Sequence, residues 1–225
     1  MGTVTIQDFT TLHPIAMIGA EAGVCWGADT SSINKNVKRG KKCLSDGHHR
    51  TAEFPDVYMI LDGYSARVIR EFYTHIGGAP TRLQASTRYI DYEHGFDYII
   101  PYTIANNSEA MEIYVKNMTI TADTLRQLDD LGIPREDSAN LLPLGMTTKM
   151  VCKMNFRTLM SMSNQRKCVR AYWEFRELFA DIEKALSEYS EEWAYLVKNY
   201  FMPKCELFGF CTESDSCGRY PRKEN

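Results

Sequence analysis

Residues 108–132, SEAMEIYVKNMTITADTLRQLDDLG, form the longest stretch of the chain that keeps helical spacing without a break. Ser108 suits an N-cap and Gly132 a stop, because a serine hydroxyl accepts from the first unpaired N–H groups and glycine tolerates the closing left-handed turn. IPREDSANLLP then opens a short helix with Pro134 near its first turn. NFRTLMSMSNQ, KCVRAYWEFRELFADIEKALSEY and SEEWAYLVKNYF continue the amphipathic pattern, and only TTKMVCKMN reads as a strand in this half. The first half is mixed. TVTIQDF (3–9) alternates as a strand does, LHPIAMIGAEAGVCW reads as a short helix with small residues on one side, and VYMIL (57–61) is a short strand broken at Asp62-Gly63. SARVIREFYTH follows as a helix with Val68, Ile69, Phe72 and Tyr73 on one face. Residues 28–48 are polar and basic and read as a mobile loop; STRYIDYEHGFDYIIP reads as strand or irregular extended chain. The expectation is an α/β (α+β) fold: one domain over 1–203 with a small mixed sheet and long helices, then a loop-like cysteine-containing tail at 204–225.

A chain of 225 residues buries a core without staples. Its net charge of −3 gives no field for nucleic acid or an anionic membrane, so neither is an expected partner and an anionic ligand needs a local arginine cluster. No secretory n-region and h-region opens the sequence, and no apolar run spans a bilayer. Seven cysteines, an odd count, favour free thiols in a reducing cytoplasm. His48 and His49 lack HxxxH or CxxC company and read as loop residues, while Cys205, Cys211 and Cys217 recur every six residues, a longer interval than zinc knuckles use; free thiols are the expectation there, with zinc or a cluster completed by Cys152, Cys168 or a histidine left open, so no metal ligand is assigned.

Arginines concentrate in two segments, with Arg67, Arg70, Arg82 and Arg88 in one and Arg157, Arg166, Arg170 and Arg176 in the other. Guanidinium forks suit phosphates and the imide edge of a pyrimidine. Arg166, Arg170 and Arg176 lie on or just before one predicted helix, where the 166-to-170 spacing puts two of them on one face. In PTRLQASTRYIDY (80–92), Gln84, Ser86 and Arg88 alternate with their neighbours, so an extended segment would aim all three at one wall of a site.

The order of these residues resembles the flavin-dependent thymidylate synthase family. Asn155, Arg157 and Leu159 match its Asn-x-Arg-x-Leu element, and Arg166 and Arg176, ten apart, match the two arginines that follow. GIPRE and LLP (132–143), STRY (86–89), GHHRTAEF (47–54) and AGVCW (22–26) match further family segments, in family order. The resemblance implies transfer of a one-carbon unit from methylenetetrahydrofolate to C5 of dUMP, with FAD as cofactor, NADPH as the electron source and no cysteine nucleophile. It implies Arg166 as the group that activates the pyrimidine. It gives a pyrimidine deoxynucleotide to Arg70, Glu71, Gln84, Ser86, Arg88, Asn140 and Arg166, with Arg88 on a phosphate. It gives the flavin to Thr74, His75, Asn155, Arg157, Ser161 and Arg170, and it implies a cytoplasmic homotetramer with active sites shared between subunits. Tyr172, Trp173, Phe175 and Phe179 read as core or subunit interface rather than as a flavin platform.

The chain also departs from the family. Its Arg-His-Arg motif is Thr74-His75-Ile76 here, with nine residues rather than seven between it and Ser86. Arg82 lies within that longer loop, in reach of the same phosphates, and Gly77 and Gly78 would let backbone N–H groups approach an anion. The usual acid two before the serine is Gln84, an arginine position is Asn140, and a frequent histidine position is Arg170. These changes leave two other readings open: alkylation of a different pyrimidine nucleotide such as dCMP, whose edge an amide can also read, and an idle nucleotide- or flavin-binding homologue.

Overall fold

Gly19 and Gly40 set how the first two helices meet. In the computed structural model, which describes residues 2–75, 80–92 and 94–223, they lie on α1 (Pro14–Val24) and α2 (Ile33–Ser45). A Cβ on Gly19 would lie 1.8 Å from the carbonyl oxygen of Asn36, and one on Gly40 would lie 2.1 Å from that of Ile15. The segment expected to be a mobile loop is therefore largely helix. Ser32 caps it, the hydroxyl accepting from Lys35 N at 3.5 Å, and Asn36, Gly40, Cys43 and Leu44 form its buried face. Its lysines lie on the exposed side, which is why the composition reads as loop. No local side chain caps α1; Glu192 does so from far along the chain, accepting from Ile15 N at 2.6 Å and Ala16 N at 3.0 Å.

Four strands, β1 (Thr3–Ile6), β2 (Asp56–Ser65), β3 (Thr81–Gln84) and β4 (Thr147–Asn155), form a sheet in the order β1-β2-β4-β3. Lys149 pairs with Asp62 at 2.6 Å and Lys153 with Asp56 at 2.7 Å, a reversed residue order that makes β4 antiparallel to β2. Asp62-Gly63 does not end β2 as expected. Gly63 takes φ of +77°, a conformation that an L side chain rarely adopts, and the strand continues to Ser65.

The remaining helices are α3 (Ala66–Phe72), α4 (Tyr102–Ala105), α5 (Ser108–Asp130), α6 (Arg135–Ser138), α7 (Phe156–Arg166), α8 (Trp173–Tyr189), α9 (Glu191–Tyr200) and α10 (Lys204–Phe208). The α/β (α+β) expectation holds. Several boundaries differ: α3 ends at Phe72, so Tyr73 lies outside it, and the tail expected to be loop-like opens with α10. The cap of α5 is Asn107, whose side chain accepts from Ala110 N at 3.0 Å, so Ser108 is the first helical residue. The helix predicted from Lys167 begins at Trp173, leaving Arg166 at the end of α7 and Arg170 in the connection, so these two do not share a helix face.

The chain divides into two compact units. One takes Leu61–Phe72 and Leu83–Met150 with the first three residues; Tyr64, Val68, Ile69, Phe72 and Met146 are buried there, and the 23-residue α5 buries only Leu125 among the described residues. The other takes Val4–Ile60, Tyr73–Arg82 and Val151–Asn225, and holds a dense aromatic core. Phe156 meets Trp193 edge to face at 5.8 Å and Phe201 at 6.0 Å, while Trp193 Nε1 donates to Thr11 O at 2.8 Å. Among the described residues no helix is long and apolar enough to cross a membrane.

Candidate active site

The arginine implied to act on the pyrimidine sits where α7 ends, in the larger unit. Arg166 Nε donates to His75 Nε2 at 2.9 Å, its Nη2 lies 3.4 Å from Thr74 Oγ1, and its guanidinium lies over the Phe175 ring at 4.3 Å from the centroid. His75 is 8% exposed, and its ring meets Phe175 edge-on at 5.8 Å. Burial, then the charges of Arg166 and Arg82, push the His75 imidazole down to about 4, so it is neutral at physiological pH. Of the four aromatics expected in core or interface, Phe175 and Phe179 are buried while Tyr172 and Trp173 are half-buried, and Phe175 also supports Arg166.

Arg166 borders a cavity of about 450 Å³ together with Asn164, Arg170 and residues of the C-terminal segment. Arg170 reaches that segment: Nη1 donates to Asp215 O at 3.2 Å, with Glu213 and Asp215 carboxylates at 3.7 and 3.9 Å. Cys168, Cys205, Cys211 and Cys217 line the same cavity. Among the described residues no three His, Cys, Asp or Glu side chains stand close enough to hold a metal ion.

On the same unit, Asn155 caps α7, its Oδ1 accepting from Thr158 N at 2.9 Å and Thr158 Oγ1 at 2.8 Å. That cap fixes the start of the helix from which Arg157 and Ser161, four residues apart, both face a second cavity of about 420 Å³. Met160, Tyr200, Met202 and Leu207 give it apolar walls, and His49, Asn164 and Asn199 add polar groups. Arg157 donates to Glu53, a residue of the matched GHHRTAEF segment that motif reasoning passed over although the matched glutamate pointed to it. Arg82, expected near phosphates, donates from Nη1 to His75 O at 3.2 Å and lies over Tyr73 at 4.4 Å. The anion contacts expected at Gly77 and Gly78 lie outside the described residues.

The other nucleotide candidates lie in the smaller unit. β3 ends at Gln84, whose amide donates to Thr148 Oγ1 at 3.4 Å. The expected extended alternation stops at Ser86, where the chain turns: Tyr89 N donates to Ser86 O at 3.1 Å and Arg88 N to Ser86 Oγ at 3.3 Å. Arg88 is thus aimed by a turn and pairs with Glu136 at 3.1 Å, while Arg135 pairs with Asp91 at 2.6 Å. STRY and GIPRE, two separately matched motifs, are thereby joined. Asn140 Nδ2 donates to the backbone at Asp137 O, 2.9 Å away, and Arg70 and Glu71 end α3, exposed and half-buried respectively.

Residues 10–190 match the protein family described as thymidylate synthase complementing protein, Thy1. The chain belongs to this family. Two curated Thy1-type relatives are flavin-dependent thymidylate synthases. The one from Nitratidesulfovibrio vulgaris is 29% identical over 96% of this chain and 94% of its own length. That from Pyrococcus furiosus is 29% identical over 96% and 91%. Among solved structures, the flavin-dependent thymidylate synthase ThyX from Helicobacter pylori complexed with FAD and dUMP superposes with a TM-score of 0.66 at 19% identity, covering 88% of this chain and 99% of that one. At that identity the likeness is one of fold. The Thy1 match ends at residue 190, before the segment that holds Arg170.

Proposed function

We propose that this Thy1 chain is a flavin-dependent thymidylate synthase, which methylates C5 of dUMP to give dTMP with carbon from methylenetetrahydrofolate and electrons from NADPH by way of FAD. The observation that carries the reading is the fixed Arg166 guanidinium, set at a cavity mouth by His75 and Phe175 at the position where the family motif places its activating arginine. C5 of uracil is a weak nucleophile. A cation held at the imide edge stabilises the negative charge that gathers there as C5 attacks. Gln84, Ser86, Arg88, Asn140, Arg70 and Glu71 are the nucleotide-side groups in this reading, with Arg88 exchanging Glu136 for a phosphate.

The cavity beside Arg157 and Ser161 fits a flavin, since apolar walls suit its ring faces and the flanking arginine, serine and amides suit its polar edge or its phosphates. Thr74, Asn155 and Arg170 complete the flavin-side set. FAD mediates the one-carbon transfer and supplies the reducing electrons when bound. Purified protein should be yellow with flavin absorption bands, or become so on titration with FAD. Colourless protein that takes up no FAD would overturn the reading in favour of an idle homologue.

No thiol attacks the pyrimidine. Burial pushes the Cys152 thiol up to about 12 and raises that of Cys43, so neither supplies a thiolate near neutrality. Serine at Cys25, Cys43, Cys152 or Cys168, one at a time, is expected to leave turnover intact apart from packing losses. A single folded variant with no turnover, beside a trapped covalent nucleotide on the unmutated protein, would instead indicate thiolate catalysis.

We further assign it to the cytoplasm, where seven free thiols persist, as a homotetramer. Ile113 and Ile120 of α5 are 57% and 51% exposed, and apolar residues on so long a helix suit a subunit contact. The protein should elute well above its 25.8 kDa chain mass, and a monomer that turns over substrate would contradict the shared-site assembly.

A further inference from the structure

We propose that His75 is a positioning residue for Arg166: its unprotonated Nε2 accepts the Arg166 Nε–H and so fixes the plane in which the guanidinium meets a pyrimidine. The proposal deepens the thymidylate synthase reading and rests on it. The family resemblance gives this histidine to the flavin, but its side chain is committed elsewhere. Nε2 lies 2.9 Å from Arg166 Nε, across 91 residues of sequence. An acceptor at Nε2 requires the neutral tautomer with its proton on Nδ1. His75 and Thr74 Oγ1 together meet the Nε/Nη2 edge of Arg166, whose guanidinium carbon lies over the Phe175 ring. The guanidinium plane is thereby set before a pyrimidine arrives. The histidine is itself held, by the Phe175 ring and by Arg82 Nη1 on its carbonyl oxygen.

The charged groups acting on the imidazole are Arg166 from α7 and Arg82 from β3, while α8 presents the Phe175 ring. Burial and both cations oppose protonation, so the acceptor persists down to about pH 4. An unfolded chain protonates this histidine near 6.5. Between those values the unfolded state binds more protons, so the stability His75 contributes is complete above about 6.5 and is lost as pH falls towards 4.

The test compares His75→Gln, His75→Leu, Arg166→Lys and the double variants in the FAD-loaded protein. Glutamine offers a non-titrating acceptor at similar reach, and leucine offers none. His75→Leu should lower kcat/KM for dUMP about tenfold, as loss of one well-placed hydrogen bond does, with FAD affinity little changed. His75→Gln should recover most of that loss and remove the histidine's share of the fall in Tm between pH 6.5 and 4. In the Arg166→Lys background His75→Leu should add little, because the two residues act as one unit. If the effects multiply and glutamine is no better than leucine, His75 does not position Arg166. If the unmutated protein turns over no dUMP, the functional reading fails separately. The contact is then judged by thermal unfolding alone: non-additive Tm losses for His75→Leu and Arg166→Lys support it, and additive losses overturn it.

Discussion

Arg166→Lys is expected to lower dUMP turnover by about 10²–10³, on the order of 3–4 kcal/mol in the barrier, while FAD binding stays close to normal. Lysine keeps the charge and loses the planar fork. It also loses the Nε donor that meets His75 and the guanidinium that lies over Phe175, so the remaining ammonium is neither bidentate nor fixed. The flavin-side cavity is lined by Arg157 and Ser161 and does not include Arg166, which is why cofactor affinity should survive. Steady-state turnover beside a flavin titration checks both halves. Unaltered turnover would remove Arg166 from its role, and with it the residue-by-residue transfer at the C-terminal motif.

Gly40→Ala is expected to destabilise the larger unit by about 3 kcal/mol or more, above the usual range for overpacking. The added methyl would sit 2.1 Å from the Ile15 carbonyl oxygen and 3.1 Å from Gly19 N, both backbone atoms that no rotamer change can move aside. Only separation of α1 from α2 would relieve it, exposing Ile15, Ile18 and Leu44, all now buried. Ser45→Ala, on an exposed position of the same helix, serves as the control and should change stability by less than about 0.5 kcal/mol. Denaturant unfolding of the two variants decides it. A loss under about 1 kcal/mol for Gly40→Ala would show that the two helices do not touch there.

Helix phase and type were legible wherever a long apolar period ran uninterrupted, as in α5, α7, α8 and α9. The failure at α2 has a physical cause. Its sequence is dominated by exposed lysines, and its helicity rests on a narrow face of Asn36, Gly40, Cys43 and Leu44 set against α1, a tertiary effect that local composition does not carry. Asp62-Gly63 reads as a breaker because glycine at positive φ usually ends a strand; here β2 passes through it. Motif order singled out Arg166, Arg157, Ser86 and Arg88 as candidates. Their partners were not readable, because Glu136 lies 48 residues beyond Arg88 and His75 lies 91 before Arg166. Contacts at that separation follow from folding, and no local periodicity encodes them. The pairing of Arg170 with Glu213 and Asp215 was hidden for the same reason.

Tritium release from C5-labelled dUMP, with FAD, methylenetetrahydrofolate and NADPH present and C5-labelled dCMP run in parallel, tests the central claim most directly. Thymidylate synthesis predicts release from dUMP with matching formation of dTMP, and none from dCMP. Release from dCMP alone would keep the scaffold and transfer the substrate to a pyrimidine that Gln84 reads by its amide. A flavin-loaded protein that releases tritium from neither nucleotide would contradict the account.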